Sequence, residues 1–229
     1  MLVASLFGIN PFWDRFLGAF SFHETKNIIS GEGGALIVNN EEMSLQAEII
    51  REKGTDRSRF FRNEVDKYTW QDKGSSFLPG EIIAAFLMAQ LEDASEITNR
   101  RIAVWNNYHT MCENVESQGI ISRPYIPENC QHNAHMYYVL LPRNVSRQPV
   151  LEKLRDEGIC AVFHYIPLHS SPAGKRFGRS FGTLEVTNSV SDRLIRLPLW
   201  IGITEEQQQF IVNTLEKAIK DELREYPFR

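Results

Sequence analysis

Lys26 stands between a Phe-rich stretch, residues 17–23, and the glycine turn Gly31-Glu32-Gly33-Gly34. A lysine that closes a buried strand is desolvated, and a desolvated amine is a good nucleophile toward a carbonyl. Ser21 offers a hydroxyl just upstream, and the glycine turn offers backbone N–H groups that a ligand can approach closely. An amine beside phosphate-binding donors suits pyridoxal phosphate, which needs an imine partner and an anchored phosphate. The same residues also fit a surface lysine in a loop beside a structural turn. Residue types alone leave both readings open.

Other side chains with chemical potential lie further along. Tyr68 and Trp70 could frame a sugar or a base with their ring faces, or simply pack an irregular segment. His164, Tyr165 and His169 surround Pro167 in a loop, where lining a site and satisfying local hydrogen bonds are equally open. Arg51, Arg57 and Arg59 could meet a pyrophosphate, although a solvated helix end accounts for them too. The cysteines Cys112, Cys130 and Cys160 form no CxxC or Cys/His pattern, so no metal site is expected and free thiols are.

The elements that must position these residues read as alternating strands and helices. Residues 17–23 and Ala35–Val38 look like short buried strands around the lysine. Glu41 to Lys53 reads as a helix with acidic residues in its first turn and Gly54 just beyond it. Residues 54–78 show no period; a long irregular stretch of this kind is more often functional than idle. Pro79 opens a helical pattern that runs almost continuously to about Ser117. Beyond it come a strand at Met136–Leu141, a helix at Gln148–Glu157, a strand at Ala161–Tyr165 and a helix at Asn188–Arg196. A final helix, Thr204–Leu223, opens with Thr204 and Gln207 spaced as a capping box. Alternation of this kind points to an α/β or α+β fold.

Composition narrows the function classes. The 229 residues are 42% hydrophobic and 24% charged, with a net charge of −4, and carry no low-complexity tract. Arg100-Arg101 and residues 175–179 are too short to make the basic stripe of a nucleic-acid binder. No apolar run approaches the ~20 residues of a membrane span. The start of the chain lacks the basic residues of a signal peptide, so a cytoplasmic location is expected.

The stretch Ser21-Phe22-His23-Glu24-Thr25-Lys26-Asn27, continuing to Gly31-Glu32-Gly33-Gly34-Ala35-Leu36, resembles the lysine motif of the DegT/DnrJ/EryC1/StrS sugar aminotransferases. The likeness continues through residues 49–55, 65–70, 74–77, 84–86, 133–136 and 161–169, in order. These segments are most similar to the branch that makes dTDP-4-amino-4,6-dideoxygalactose for enterobacterial common antigen, taking nitrogen from glutamate to C4 of a dTDP-4-keto-6-deoxy sugar. The resemblance implies the C-terminal portion of an aspartate-aminotransferase-like (type I) fold. Residues 1–98 would be part of the large cofactor-binding domain, and 99–229 a linking helix with a small α/β domain. It further implies pyridoxal phosphate bonded to Lys26, which would then shuttle a proton as general base and acid. Ser21 would hold the cofactor phosphate. Ser76 sits where many relatives carry an Asn that reaches the phosphate of the neighbouring subunit, which implies a homodimer. Tyr68, Trp70, His164, Tyr165 and His169 would contact the nucleotide-sugar.

The front of the chain departs from this pattern. Family members carry a cofactor-binding half before the lysine, with an aromatic ring over the pyridine face and an Asp that pairs with the ring nitrogen. Residues 1–16 do not match that half. Without it, Phe20, Phe22 and Leu36–Val38 are expected to lack neighbours, with the apolar Met1–Trp13 segment partly covering them. Two expectations therefore stand side by side. One is an aminotransferase. The other is a truncated, catalytically silent module that only folds or binds a partner.

Overall fold

The structure, a computed structural model, describes residues 17–225; the expected covering role of Met1–Trp13 lies outside them. The chain divides into two compact units, with the boundary between Ile97 and Thr98.

In the first unit, β1 (Leu17–Ser21) and β2 (Gly34–Val38) pair antiparallel, with Leu17 opposite Val38 and Ser21 opposite Gly34. These strands were expected to be buried, and they are largely open: Leu36 is 56% exposed. A two-stranded hairpin gives each strand one hydrogen-bonding neighbour, and the apolar outer side of β2 meets no layer among the described residues. The inner side fares better than expected. Phe22 and Ile28 are buried with Ala94, and Phe20, Leu87, Leu91 and Ile97 pack around them.

Helix α1 (Glu41–Arg51) starts on Asn40, whose side chain accepts from the Met43 N–H at 2.9 Å. It ends two residues before the expected Lys53 because Lys53 and Gly54 take positive φ, at 64° and 76°. Helix α2 (Arg57–Phe61) follows. The aperiodic stretch is tied down by backbone pairing across a long sequence separation. Lys53 N–H donates to Ser75 O (3.0 Å), Gln71 N–H to Gly54 O (2.7 Å) and Phe77 N–H to Arg51 O (3.1 Å). Buried Asp56 anchors the returning segment, accepting from Thr69 N–H at 2.7 Å and from Gln71 Nε2 at 2.9 Å. The two segments approach so closely that a Cβ on Gly54 would lie 1.7 Å from Asp72 O.

The long helix expected from Pro79 is three helices. Helix α3 (Glu81–Glu92) begins after Gly80 rather than at Pro79, and Asp93 separates it from α4 (Ala94–Met111). Cys112, in turn, separates α4 from α5 (Glu113–Ser117). No residue of α3 is fully buried, and Ile82, Phe86 and Met88 are exposed.

The second unit holds the larger core. Strands β3 (Tyr137–Leu140), β4 (Val162–Phe163) and β5 (Leu194–Leu197) form an antiparallel sheet in the order β3-β5-β4. Between them run α6 (Arg147–Asp156), α7 (Pro172–Phe177) and α8 (Glu185–Arg193). Residues 188–196 were expected to be one helix; the helix starts earlier and stops at Arg193, and Leu194–Leu197 joins the sheet. The sheet takes Leu-Ile-Arg-Leu because its alternation puts Ile195 and Leu197 into the core beside Val139 and Tyr137.

Helix α9 (Glu205–Glu225) closes the unit, burying Gln208, Ile211, Val212, Leu215, Ala218, Ile219 and Glu222. This i, i+3, i+4, i+7 spacing gives one continuous stripe. The two polar members are satisfied in part: Gln208 Nε2 donates to Val104 O at 2.8 Å, and Glu222 lies 3.5 Å from Lys153 Nζ. Tyr108, Tyr137, Trp105, His109 and His132 stack edge and face at the centre, beside the buried thiol of Cys112. Among the described residues no helix is long and apolar enough to cross a membrane.

Candidate active site

Lys26 lies in the loop between β1 and β2. That loop is closed by backbone bonds from Phe22 N–H to Gly33 O and from Glu24 N–H to Gly31 O, both at 2.9 Å. A tight turn, Lys26 N–H to His23 O at 2.9 Å, sets the lysine on the loop surface. The side chain is exposed, so the desolvation expected of it is not supplied by the described residues. His23 packs locally, with Nδ1 3.0 Å from Thr25 Oγ1 and Nε2 3.6 Å from a Glu32 carboxylate oxygen.

The loop fits a phosphorylated aldehyde. Lys26 is an accessible amine, and among the described residues Ser21 Oγ accepts only the His23 N–H (3.4 Å), which leaves its own proton to donate. Gly31 and Gly33 enter the loop's hydrogen bonds through their carbonyls, leaving their N–H groups out of that ladder. Ser30 Oγ fixes the turn from below, donating to Glu32 O at 2.8 Å.

A second group of candidates meets elsewhere in the same unit. Tyr68 and Ser76 line a pocket of about 170 Å³ together with Arg51, Glu52, Lys53 and Arg57. Tyr68 is held by an edge-on contact with Phe60 at 5.7 Å between ring centroids. Trp70 does not share that pocket. Its indole N–H donates to Asp72 O at 2.7 Å, pinning the returning segment, while the ring is 78% exposed. Sequence reasoning does not single out Lys53. Only the pairing of residues 50–56 with 69–77 brings it to Tyr68 and Ser76, and no local spacing signals that pairing.

The remaining candidates sit in the second unit. His164 and Tyr165 are neighbours with ring centroids 5.3 Å apart, and Arg196 lies 5.9 Å from the Tyr165 ring. Burial, helped by the Arg196 charge, lowers the His164 pKa, and its Nδ1 is buried without a hydrogen-bond partner among the described residues. The neutral imidazole is thereby favoured, with a free lone pair or N–H. Tyr165 is well exposed. His169 is tied to its own unit, with Nε2 2.8 Å from Asn188 Oδ1. Among the described residues no cluster of His, Cys, Asp and Glu could hold a metal.

Comparison with known proteins agrees with this fold. An uncharacterised protein of Methanocaldococcus jannaschii, MJ1066, is 30% identical over 210 residues, covering 89% of this chain and 54% of that protein. The spore coat polysaccharide biosynthesis protein SpsC of Bacillus subtilis is 25% identical, over 88% of this chain and 53% of its own length. Among solved structures, Helicobacter pylori PseC, an aminotransferase involved in the biosynthesis of pseudoaminic acid, superposes with a TM-score of 0.78 at 22% identity. That match covers 90% of this chain and 54% of PseC. The putative sugar aminotransferase Spr1654 of Streptococcus pneumoniae, in its pyridoxamine phosphate form, gives 0.76 at 22% identity over 91% of this chain and 52% of its own. This chain thus spans about half the length of the relatives it matches, and its fold is part of the fold of these aminotransferases. The profile of the DegT/DnrJ/EryC1/StrS aminotransferases, a family dependent on pyridoxal phosphate, matches residues 16–216 from the start of β1 to the middle of α9, and the chain belongs to that family.

Proposed function

We propose that this chain carries the lysine-bearing portion of a pyridoxal-phosphate-dependent sugar aminotransferase. The amino group would pass from glutamate to C4 of a dTDP-linked 4-keto-6-deoxy sugar, for cell-surface polysaccharide or lipopolysaccharide synthesis. The observation that carries this reading is the exposed Lys26 amine in the β1–β2 loop, with the Ser21 hydroxyl and the glycine turn beside it. The likeness to SpsC and PseC supports a sugar substrate. The dTDP-4-keto sugar itself, and dTDP-4-amino-4,6-dideoxygalactose as product, rest on the residues that resemble that branch.

When bound, the cofactor supplies an aldehyde and an electron sink for the carbon that loses its proton. Lys26 Nζ would hold the cofactor at that aldehyde and would take and return the proton at the substrate carbon bearing nitrogen. Ser21 Oγ donates to the phosphate. Tyr68, Trp70 and Tyr165 offer exposed ring faces to the nucleotide-sugar, and His164 a neutral imidazole. His169 orients its loop through Asn188. Ser76 would donate to the phosphate of a partner subunit in a symmetric dimer, and the groups over and beside the pyridine ring would come from outside these residues. Three free thiols fit a reducing, cytoplasmic setting.

A second reading, a folded module without chemistry that binds a partner, is favoured by the exposed apolar side chains of β2 and α3. The visible spectrum separates the two. Pyridoxal phosphate mixed with the chain should give a lysine-linked absorption band that the Lys26→Ala variant loses. An identical band in the variant would refute the role of Lys26. Glutamate-dependent amination of the keto-sugar nucleotide then tests turnover, and cofactor binding without it favours the second reading.

A further inference from the structure

Much of the positive charge of the second unit is committed within it. Arg123, Lys153 and Lys220 pair with carboxylates, while Arg147, Arg193 and Arg196 donate to backbone carbonyls. The stretch from β4 to α8 differs. From Gly158 to Leu184 the chain has no Asp or Glu, although the whole protein carries a net charge of −4. Lys175, Arg176 and Arg179 fall in this stretch, all exposed, and none makes an ion pair within 4.0 Å among the described residues. The same stretch holds apolar side chains out to solvent: Leu168 is 82% exposed, Phe177 77% and Phe181 96%. The Arg176 guanidinium lies 4.8 Å from the centre of the Phe177 ring, so a cation and an apolar face are presented together.

The backbone beneath these side chains is fixed. Ser171 Oγ donates to Leu168 O at 2.8 Å and accepts the Gly174 N–H at 3.0 Å, which joins the 3₁₀ turn Leu168–Ser170 to α7. The two pieces are in such close contact that a Cβ on Gly174 would lie 1.6 Å from Leu168 O. Gly178 N–H closes α7 on Gly174 O at 2.8 Å, and the His169–Asn188 bond fastens the turn to α8. Side chains carried on such a platform lose little backbone freedom when they bind.

The chemistry of the patch selects its partner. A nucleic acid would use the cations but has no place for the aliphatic Leu168, and a chain of net charge −4 repels a long polyanion. A protein partner needs an area packed flush, whereas Phe177 and Phe181 stand apart, with Gly178, Arg179 and Ser180 between them. A bilayer accepts apolar side chains of any outline. Its interfacial layer takes the rings and the leucine, and Lys and Arg keep their charge at the level of the phosphates through their long stems. Either signal alone binds weakly; together they hold a protein on the surface without a spanning helix.

We propose that Leu168, Lys175, Arg176, Phe177, Arg179 and Phe181 form a peripheral docking patch for an anionic lipid surface. The apolar side chains enter the interface and the three cations meet the headgroup phosphates. The patch involves neither Lys26 nor a cofactor, so it stands or falls apart from the aminotransferase reading.

The test is flotation of the full chain with vesicles. Phosphatidylcholine alone is compared with phosphatidylcholine containing about one-third phosphatidylglycerol. The expected result is binding to the anionic vesicles only, weakening as salt is raised. Lys175→Gln, Arg176→Gln and Arg179→Gln combined should raise the lipid concentration for half-binding at least ~30-fold. Phe177→Ser with Phe181→Ser should raise it at least ~10-fold, and Phe177→Leu with Phe181→Leu should restore most of that loss. Lys217→Gln with Arg224→Gln, which removes exposed cations of α9, should leave it unchanged. No binding to anionic vesicles, or equal losses in the α9 variant and the triple variant, would overturn the patch. Full binding by the Phe→Ser variant would reduce it to unspecific charge attraction and overturn it too. If the chain instead self-associates in sedimentation, and the Phe→Ser variant stays monomeric and floats no differently, the surface belongs to a second copy and the lipid assignment fails.

Discussion

Gly54 shows how much a single residue carries in the first unit. Its φ of 76° is one that L side chains adopt at a cost of about 1–2 kcal/mol, and Asp72 O occupies the place a Cβ would need. Gly54→Ala is therefore expected to cost roughly 2 kcal/mol or more. Gly31→Ala, at φ 80° with nothing within 4 Å of the new Cβ, should lose only the backbone penalty. Urea denaturation of the two variants, followed by the fluorescence of Trp70, would show the difference. At this scale the sequence revealed residues whose chemistry is local. Lys26, Ser21 and the glycine turn lie within one loop and can be found by reading along the chain. Lys53 could not be found that way, because its neighbours Tyr68 and Ser76 are brought in by backbone pairing between distant segments. The desolvation expected at Lys26 also failed to appear, since burial is a property of the layers around a strand and not of the strand's own residues.

Elements were legible where their signal was self-contained. Helix α9 opens with the reciprocal bonds its sequence announced: Thr204 Oγ1 accepts from Gln207 N–H at 3.2 Å, and Gln207 Oε1 accepts from Thr204 N–H at 3.0 Å. Thr204→Ala is expected to cost about 1 kcal/mol and Thr204→Ser almost nothing, read as the thermal midpoint of the second unit. Equal midpoints for the alanine variant and the native chain would show that the cap is dispensable. Elements failed to read where neighbours decide. Leu194–Leu197 continues the apolar pattern of α8 and would pass for helix, yet it pairs with β3 and β4 because the centre of that sheet is otherwise empty. The breaks at Asp93 and Cys112 are equally silent, since neither is a glycine or a proline.

The whole molecule joins two units of unequal solidity. The first rests on a small cluster around Phe22, Ile28 and Ala94, and α3 shows its apolar side chains to solvent. The second has a continuous core from Val104 to Ile219. Its central aromatic stack encloses Cys112, whose thiol burial pushes up to about 11. Cys130 and Cys160 lie on the surface of the same unit. The three thiols thus form a clock built into the chain. Two, being exposed, should react promptly with a disulfide reagent at mildly alkaline pH. The third should wait for the aromatic stack to part, so that its labelling rate measures how often the second unit opens. Three equal rates would mean that the stack does not seal Cys112. A slow third phase, further slowed by anything that tightens α9, would give a readout of breathing that needs no probe and no mutation.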